Sequence, residues 1–176
     1  RRAARVGRPA ALGLALSLAL AYPLAHALPQ GGQVVQGQAL LSPGLIQQTS
    51  DKAIVNWQSF SIGAGETLRV QQPGVNSVLL NRVVGRDPSL ILGQLQANGR
   101  VFLVNPRGIV FGRGSQVDAG SLVASTLDLS DGDFLAGAYR FSAGAGAGGL
   151  RAEGRLSAAD GTVALLAPDL AVSGQI

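Results

Sequence analysis

Short stretches of alternating apolar and polar residues recur along the chain, and glycine, asparagine or proline ends each of them. Alternation with a period of two is typical of strands that bury one face, and Asn-Gly at residues 98–99 is a strong turn signal. The pattern therefore predicts strands joined by turns. The predicted strands are residues 53–62, 67–70, 78–80, 83–84, 94–97, 101–104 and 109–111, short segments around Val117 and at 122–123, and residues 162–166.

Helical periodicity is weak throughout the chain. Asp87 and Pro88 resemble an N-cap followed by a proline in the first helical turn, which makes residues 87–92 the one helix candidate. Gly93 follows after barely one turn, so we predict no stable amphipathic helix.

Two all-β architectures fit this pattern, a sandwich and a β-solenoid. Charged residues make up only 14% of the chain, which favours stacked coils around a continuous apolar column. Residues 112–120 resemble residues 153–161, and small residues (Ala124, Ala158, Ala164 and Ala167) suit a narrow interior. We predict roughly six coils, about 30 Å long at ~4.8 Å per strand, with residues 28–38 as an N-terminal cap.

The first 27 residues have the three parts of a secretory signal peptide. Four arginines precede an apolar run at residues 10–20, and Ala25-His26-Ala27 is a small-residue cleavage pattern. The run is shorter than the ~20 residues that a membrane anchor needs, which disfavours that alternative. We predict export by the general machinery, cleavage after Ala27, and one domain over residues 28–176. Because the sequence contains no methionine and shows no C-terminal cap signal, we expect a longer natural protein with further repeats.

Composition removes several classes of function. The net charge of +4 matches the four arginines of the leader, and the ten remaining basic residues balance ten acids, so we predict no nucleic-acid binding. The chain has no cysteine, and its one histidine, His26, precedes the cleavage point. Ser-His-Asp and Cys-His catalysis and thiolate or histidine zinc sites are excluded from the mature domain. We predict no catalytic residues, no metal and no cofactor.

Five motifs in order resemble the N-terminal secretion domain of filamentous-haemagglutinin-like exoproteins, the two-partner secretion family. The strongest is Asn105-Pro106-Arg107-Gly108-Ile109, which is similar to the family signature Asn-Pro-Asn-Gly-Ile with Arg107 in the third place. The family's Asn-Pro-Asn-Leu motif has no match, as in certain high-molecular-weight adhesins of the same family. The other motifs are residues 28–32, residues 54–63 with Asn56 and Trp57, Asn81-Arg82-Val83, and residues 124–128.

This resemblance implies a right-handed parallel β-helix with an N-terminal cap, in a secreted or cell-surface adhesin. It also implies recognition in the periplasm by a cognate outer-membrane β-barrel transporter that carries POTRA domains. The chain would cross the outer membrane unfolded and fold at the surface. Any host-surface ligand would then be bound by a region downstream of residue 176.

The residues at 105–109 also have a physical role of their own. Pro106 fixes φ, the Asn105 side chain can bond the backbone two residues on, and Gly108 permits positive φ. We predict a tight corner between two strands, with Arg107 pointing outward. Direct transporter contact and nucleation of the β-helix by this turn both remain open.

Weaker signals have plainer interpretations. Residues 144–149 match a dinucleotide-binding pattern but lack the flanking strand and helix, which favours a flexible Gly/Ala loop. Asp128, Asp131 and Asp133 favour a solvated turn over a calcium site. Trp57 is expected to pack in the core or cap, although sugar stacking is an alternative. Asn56, Asn76, Asn81 and Asn105 are candidates for a stacked amide ladder.

Two rival classes of function stay open beside secretion targeting. One is an adhesive module that itself binds host glycans or proteins. The other is a carbohydrate-active β-helix enzyme, for which Asp131 and Asp133 are the nearest carboxylate pair.

Overall fold

The computed structural model describes residues 28–144, 146–159 and 161–176. Regular structure in these residues is almost entirely strand, with one short helix. In chain order the elements are β1 Gln33–Gln36, β2 Ala39–Ser42, β3 Leu45–Gln48, β4 Lys52–Trp57, β5 Thr67–Gln71, β6 Val78–Val83, β7 Ser89–Ile91, β8 Gln94–Ala97, β9 Arg100–Val104, β10 Ile109–Phe111, β11 Gln116–Ala119, β12 Ser121–Ser125, β13 Asp128–Leu129, α1 Asp131–Ala136, β14 Phe141–Ser142, β15 Leu150–Ala152, β16 Arg155–Ala158, β17 Val163–Leu166 and β18 Leu170–Val172.

The strands form three long sheets, and the chain visits them in rotation. Sheet 1 has the order β2-β3-β5-β8-β11-β16, sheet 2 has β1-β4-β6-β9-β12-β17, and sheet 3 has β7-β10-β15-β18. From β3 onward, each strand of these sheets pairs in parallel with the strand one turn later, so that β8, β9 and β10 make up the third turn. The predicted all-β parallel β-helix is confirmed.

The coil has about five turns rather than the roughly six expected. Two segments of the chain do not contribute to the coil. Residues 33–42 form cap strands, and the chain leaves the coil between β12 and β15. Gln94 pairs with Gln116 after 22 residues, whereas Gln116 pairs with Arg155 after 39.

The N-terminal cap pairs in the opposite sense to the coil. β1 runs antiparallel to β4, and β2 runs antiparallel to β3. An open sheet edge is a template for unwanted pairing, and these two strands cover the first edges of sheets 1 and 2. The predicted cap is present and extends beyond residue 38, to Ser42.

Inward side chains of the three sheets build one apolar column. Leu95 stacks on Val117 in sheet 1, and Leu103 stacks on Ala124 in sheet 2, with all four side chains buried. The expectation of a narrow interior is confirmed at Ala124 and is wrong at Ala164, which pairs with Val123 of the outer face. Other members of the column are Ile46, Val55, Leu68, Leu79, Val101, Ile109, Phe111, Leu122, Leu150 and Leu156.

The helix candidate at residues 87–92 does not form a helix, which agrees with the prediction of no stable helix there, and one short helix that was not predicted forms elsewhere. Residues 89–91 of the helix candidate form β7, because Ile91 pairs in parallel with Phe111 of the next turn. Hydrogen bonds between turns therefore outweigh the local signals of Asp87 and Pro88. A helix forms instead at α1, where the Oγ of Ser130 accepts from the Asp133 amide at 3.1 Å and Gly137 ends the helix at φ 70°.

Residues 128–142, named the excursion here, lie outside the coil. β13 and β14 pair antiparallel, and α1 lies between them. Phe134 of α1 and Leu129 of β13 are buried against the outward face of sheet 2. The excursion therefore adds a second, smaller apolar cluster outside the main column.

The predicted signal peptide and the cleavage point at Ala27 lie outside the described residues. Within the described residues, no helix is long and apolar enough to cross a membrane.

We predict that Leu103→Ala destabilises the domain by about 2–5 kcal/mol, because Leu103 is 0% exposed in the central column. Leu90→Ala is the matched control, since Leu90 is 43% exposed on the outside of β7; it should change stability by no more than about 0.5 kcal/mol. Urea unfolding of both variants measures the difference. Equal losses would contradict the assignment of inward and outward faces.

Candidate functional site

Residues 105–109, named the corner here, connect β9 of sheet 2 to β10 of sheet 3. The Gly108 amide donates to the Asn105 carbonyl oxygen at 3.1 Å, with Pro106 in the second position of the turn. The Arg107 amide donates to Oδ1 of Asn105 at 2.9 Å, which is the predicted side-chain bond two residues on. Gly108 has φ 127°, a conformation that disfavours any residue with a Cβ.

Asn105 joins three turns of the coil and is fully buried. Its Nδ2 donates to the Asp87 carbonyl oxygen at 3.0 Å and to Oγ of Ser89 at 2.9 Å, both in the second turn. Its backbone amide donates to the Ser125 carbonyl oxygen in the fourth turn at 2.9 Å. The corner is thus fixed from below and above.

The end of the Gly/Ala loop packs directly on the corner. The Gly148 amide donates to the Pro106 carbonyl oxygen at 2.8 Å, and the Ile109 amide donates to the Gly149 carbonyl oxygen at 3.2 Å. A Cβ at Gly148 would lie 2.5 Å from the Arg107 carbonyl oxygen, so only glycine fits there. The prediction of a simply flexible loop is therefore wrong at its C-terminal end, which these bonds hold in place.

Arg107 is the exposed member of the corner, as predicted. It borders a surface groove of about 380 Å³ along the outside of sheet 3. Apolar surface, two guanidinium groups and one carboxylate share this groove. The residues that provide these apolar and charged groups are Pro88, Arg107, Val110, Arg151, Asp169 and Ala171.

Asn81 and Trp57 form a buried pair between the first two turns. The Trp57 Nε1 donates to Oδ1 of Asn81 at 3.0 Å, and Nδ2 of Asn81 donates to the Phe102 carbonyl oxygen at 3.4 Å. Trp57 is buried and meets the Phe60 ring edge-on at 5.8 Å. Packing, rather than sugar stacking, is therefore its role here.

Arg82 points outward from β6, next to Asn56 in register, and holds the excursion. Its guanidinium donates to Oδ1 of Asp131 at 2.5 Å and to the Leu129 carbonyl oxygen, and Nε lies 3.5 Å from Oδ1 of Asp128. The aspartates expected in a solvated turn therefore lie at the N-terminus of α1, where Asp128 and Asp131 are paired with Arg82. No local sequence pattern indicates this role, since Arg82 and Asp131 are 49 residues apart.

Asp133, the third aspartate of this cluster, has polar partners as well. Asp133 accepts from Oγ of Ser130 at 2.9 Å and lies 3.4 Å from the Arg140 guanidinium. Among the described residues, no group of three or more His, Cys, Asp or Glu side chains is arranged to hold a metal ion.

The proposed asparagine ladder is wrong. Asn56 pairs across from Arg82 rather than Asn81, and Asn76 accepts from the exposed Arg100 at 3.0 Å. Side-chain stacking occurs instead where sheet 1 passes into sheet 2. There, Nε2 of Gln72 donates to Oε1 of Gln48 at 3.1 Å, and Nδ2 of Asn98 donates to the Gln72 carbonyl oxygen at 2.8 Å.

The fold and the corner together define a capped parallel β-helix with one external excursion. The sequence model of the TPS secretion domain family matches residues 25–176, so the chain belongs to this family. The members of this family are secretion domains of exported proteins and work with a cognate outer-membrane transporter.

Known relatives agree with this assignment. The HMW1 secretion domain from Haemophilus influenzae matches with a TM-score of 0.77 and 32% identity, over 83% of this chain and 41% of that one. Two heme/hemopexin-binding proteins, from Haemophilus influenzae and its strain Rd, are 39% and 40% identical over 97 and 105 residues. These matches cover 55% and 57% of this chain but only 10% and 12% of the relatives.

We predict that Asn105→Ala lowers the free energy of unfolding by about 1–3 kcal/mol, because the buried Oγ of Ser89 and the partly buried carbonyl oxygen of Asp87 lose their partner. Asn76→Ala removes only an exposed bond to Arg100 and serves as the matched control. Chemical denaturation followed by circular dichroism gives both values. An unchanged free energy of unfolding in Asn105→Ala would contradict the conclusion that Asn105 connects neighbouring turns.

Proposed function

We propose that this domain directs secretion of a longer exported protein through an outer-membrane transporter whose POTRA domains recognise it in the periplasm. The observation that carries the proposal is the family match over residues 25–176. A signal peptide at residues 1–27, cleaved after Ala27, would deliver the chain to the periplasm, and the final location is the cell surface or the medium.

The corner and its groove are the proposed contact surface for the transporter. Asn105 and Gly108 are buried within the fold, whereas Arg107 is exposed and shares a groove with Arg151 and apolar Val110. A surface that combines guanidinium groups with apolar area suits a partner that offers carboxylates beside apolar side chains.

We propose that folding outside the cell favours outward transport of the chain. Each turn bonds to the turn before it and extends the same apolar column, so stability accumulates as the chain emerges. A process that removes the unfolded chain on one side of a membrane draws the equilibrium toward that side. Turns added outside would therefore oppose return of the chain.

Ligand binding by the whole protein is assigned to regions beyond this chain. Two relatives are named for heme and hemopexin binding, and the present match spans about a tenth of their length. Of the residue types that ligate heme iron, residues 28–176 contain no histidine, cysteine or methionine and one tyrosine, Tyr139, whose ring packs against Phe102 and Phe134. We assign heme acquisition or adhesion to the longer protein, with this domain as its export signal.

Charge reversal tests the contact surface. Arg107→Glu should lower secretion by about tenfold when the transporter is co-expressed, since an exposed interface charge governs recognition more than folding. Arg69→Glu makes the same change on the outside of sheet 1 and should secrete normally. Immunoblots of medium and periplasm report the ratio. Equal secretion of the two variants would refute the corner as contact surface, and secretion without any transporter would refute the proposed function.

A second variant tests the corner's shape. Gly108→Val should block secretion and cost about 1–3 kcal/mol of stability, because valine disfavours φ 127°. The leader should still be removed, giving a chain that begins at Leu28. Gly74→Val is the control, since a Cβ there meets nothing within 4 Å and its φ is not positive. Normal secretion of Gly108→Val would count against the turn as a requirement.

A further inference from the structure

The outward face of sheet 2 carries an apolar strip across the first three turns. Ile54, Leu80 and Phe102 follow one another in register on β4, β6 and β9, and all three belong to the outer cluster. The corresponding outward column of sheet 1 is polar, with Arg69, Gln96 and Asp118 in its place. A solvent-facing solenoid sheet does not need such an apolar strip, so the strip requires a cover.

The excursion is that cover. Phe134 is fully buried and meets the Phe102 ring edge-on at 5.7 Å, and the Tyr139 ring lies 4.9 Å from Phe102. Most of the surface it covers belongs to turns one to three, although the excursion itself follows β12 of the fourth turn. In sheets 1 and 2 those turns can therefore complete their hydrogen bonds before residues 128–142 arrive, because β11 and β12 precede the excursion.

Polar contacts hold the cover at its start and near the end of α1. Arg82, 14% exposed, donates to Asp131 and to the Leu129 carbonyl oxygen at the start of the excursion. Nζ of Lys52 donates to the Leu135 carbonyl oxygen at 2.5 Å, near the end of α1. A charged hydrogen bond at a partly buried site contributes more than an exposed ion pair.

The excursion is built as a separable unit. α1 has its own caps at Ser130 and Gly137, and the described return loop contains Gly144 and Gly146, whose Cβ positions meet no atom within 4 Å. Tyr139 has φ 38°, an unfavourable conformation for tyrosine that ring packing against Phe102 and Phe134 maintains. Opening would release this strain while the coil keeps its hydrogen bonds.

We propose that residues 128–142 act as a lock that opens and closes as one unit on the outer face of sheet 2, with Arg82 as its positioning residue. Closed, the lock shields Ile54, Leu80 and Phe102. Open, it leaves a folded β-helix with its outer apolar strip exposed. The inference concerns residues away from the corner and does not rest on the proposed function.

Hydrogen exchange on the purified chain tests the lock. Arg82→Gln should speed amide exchange in residues 128–142 by about tenfold or more. Exchange in β9 and β11 should stay unchanged, and binding of an apolar dye should rise as the strip opens. Arg140→Gln is the matched control, because the Arg140 side chain is 80% exposed and its ion pair with Asp133, at 3.4 Å, lies at the surface. Amide exchange in residues 128–142 of this variant should equal that of the parent chain.

Phe134→Ala provides an independent route to the same open state from the excursion side. It should raise exchange in residues 128–142 and dye binding while circular dichroism of the coil persists. Equal acceleration of exchange in every turn, for either variant, would overturn the proposal, since it would mean that the excursion opens only by global unfolding. Unchanged exchange in Arg82→Gln would overturn the role of Arg82.

Discussion

Each turn of the β-helix obtains its backbone hydrogen-bond partners from the turns on either side of it. β9, for example, pairs with β6 of the second turn and β12 of the fourth, so the third turn cannot satisfy its backbone alone. The cap strands provide such partners to the first turn in antiparallel form. Register must therefore be carried from turn to turn, and the corners between sheets need the same geometry each time.

The buried residues of the corner shape the turn, and its exposed residue faces solvent. Asn105 and Gly108 set the turn and connect three turns, so their side-chain identity is fixed by the fold. Arg107 contributes only its backbone amide to that turn, and its side chain points to solvent. The third position is also where this chain departs from the Asn-Pro-Asn-Gly-Ile signature. The fold therefore constrains the side chains of Asn105 and Gly108 but not the side chain of Arg107.

Local sequence patterns predicted the features that depend on neighbouring residues in the chain. Strands such as β5 and β10, the turn at Asn105 and Gly108, and the exposure of Arg107 follow from alternation and turn chemistry. The features that local patterns do not predict come from contacts between turns. Residues 89–91 became a strand because a neighbouring ladder was available, and Arg82 meets Asp131 across 49 residues, which no short pattern encodes.

One overlooked sequence signal did point to the excursion. β5 alternates apolar and polar residues, whereas β6 and β9 contain unbroken apolar runs, Val78-Leu79-Leu80 and residues 101–104. Such runs are typical of strands buried on both faces. In a solenoid the inner face is always buried, so a second buried face requires material outside the coil. The irregular length of the fourth turn supplies it, which makes the excursion a requirement of the outer face and not an incidental insertion.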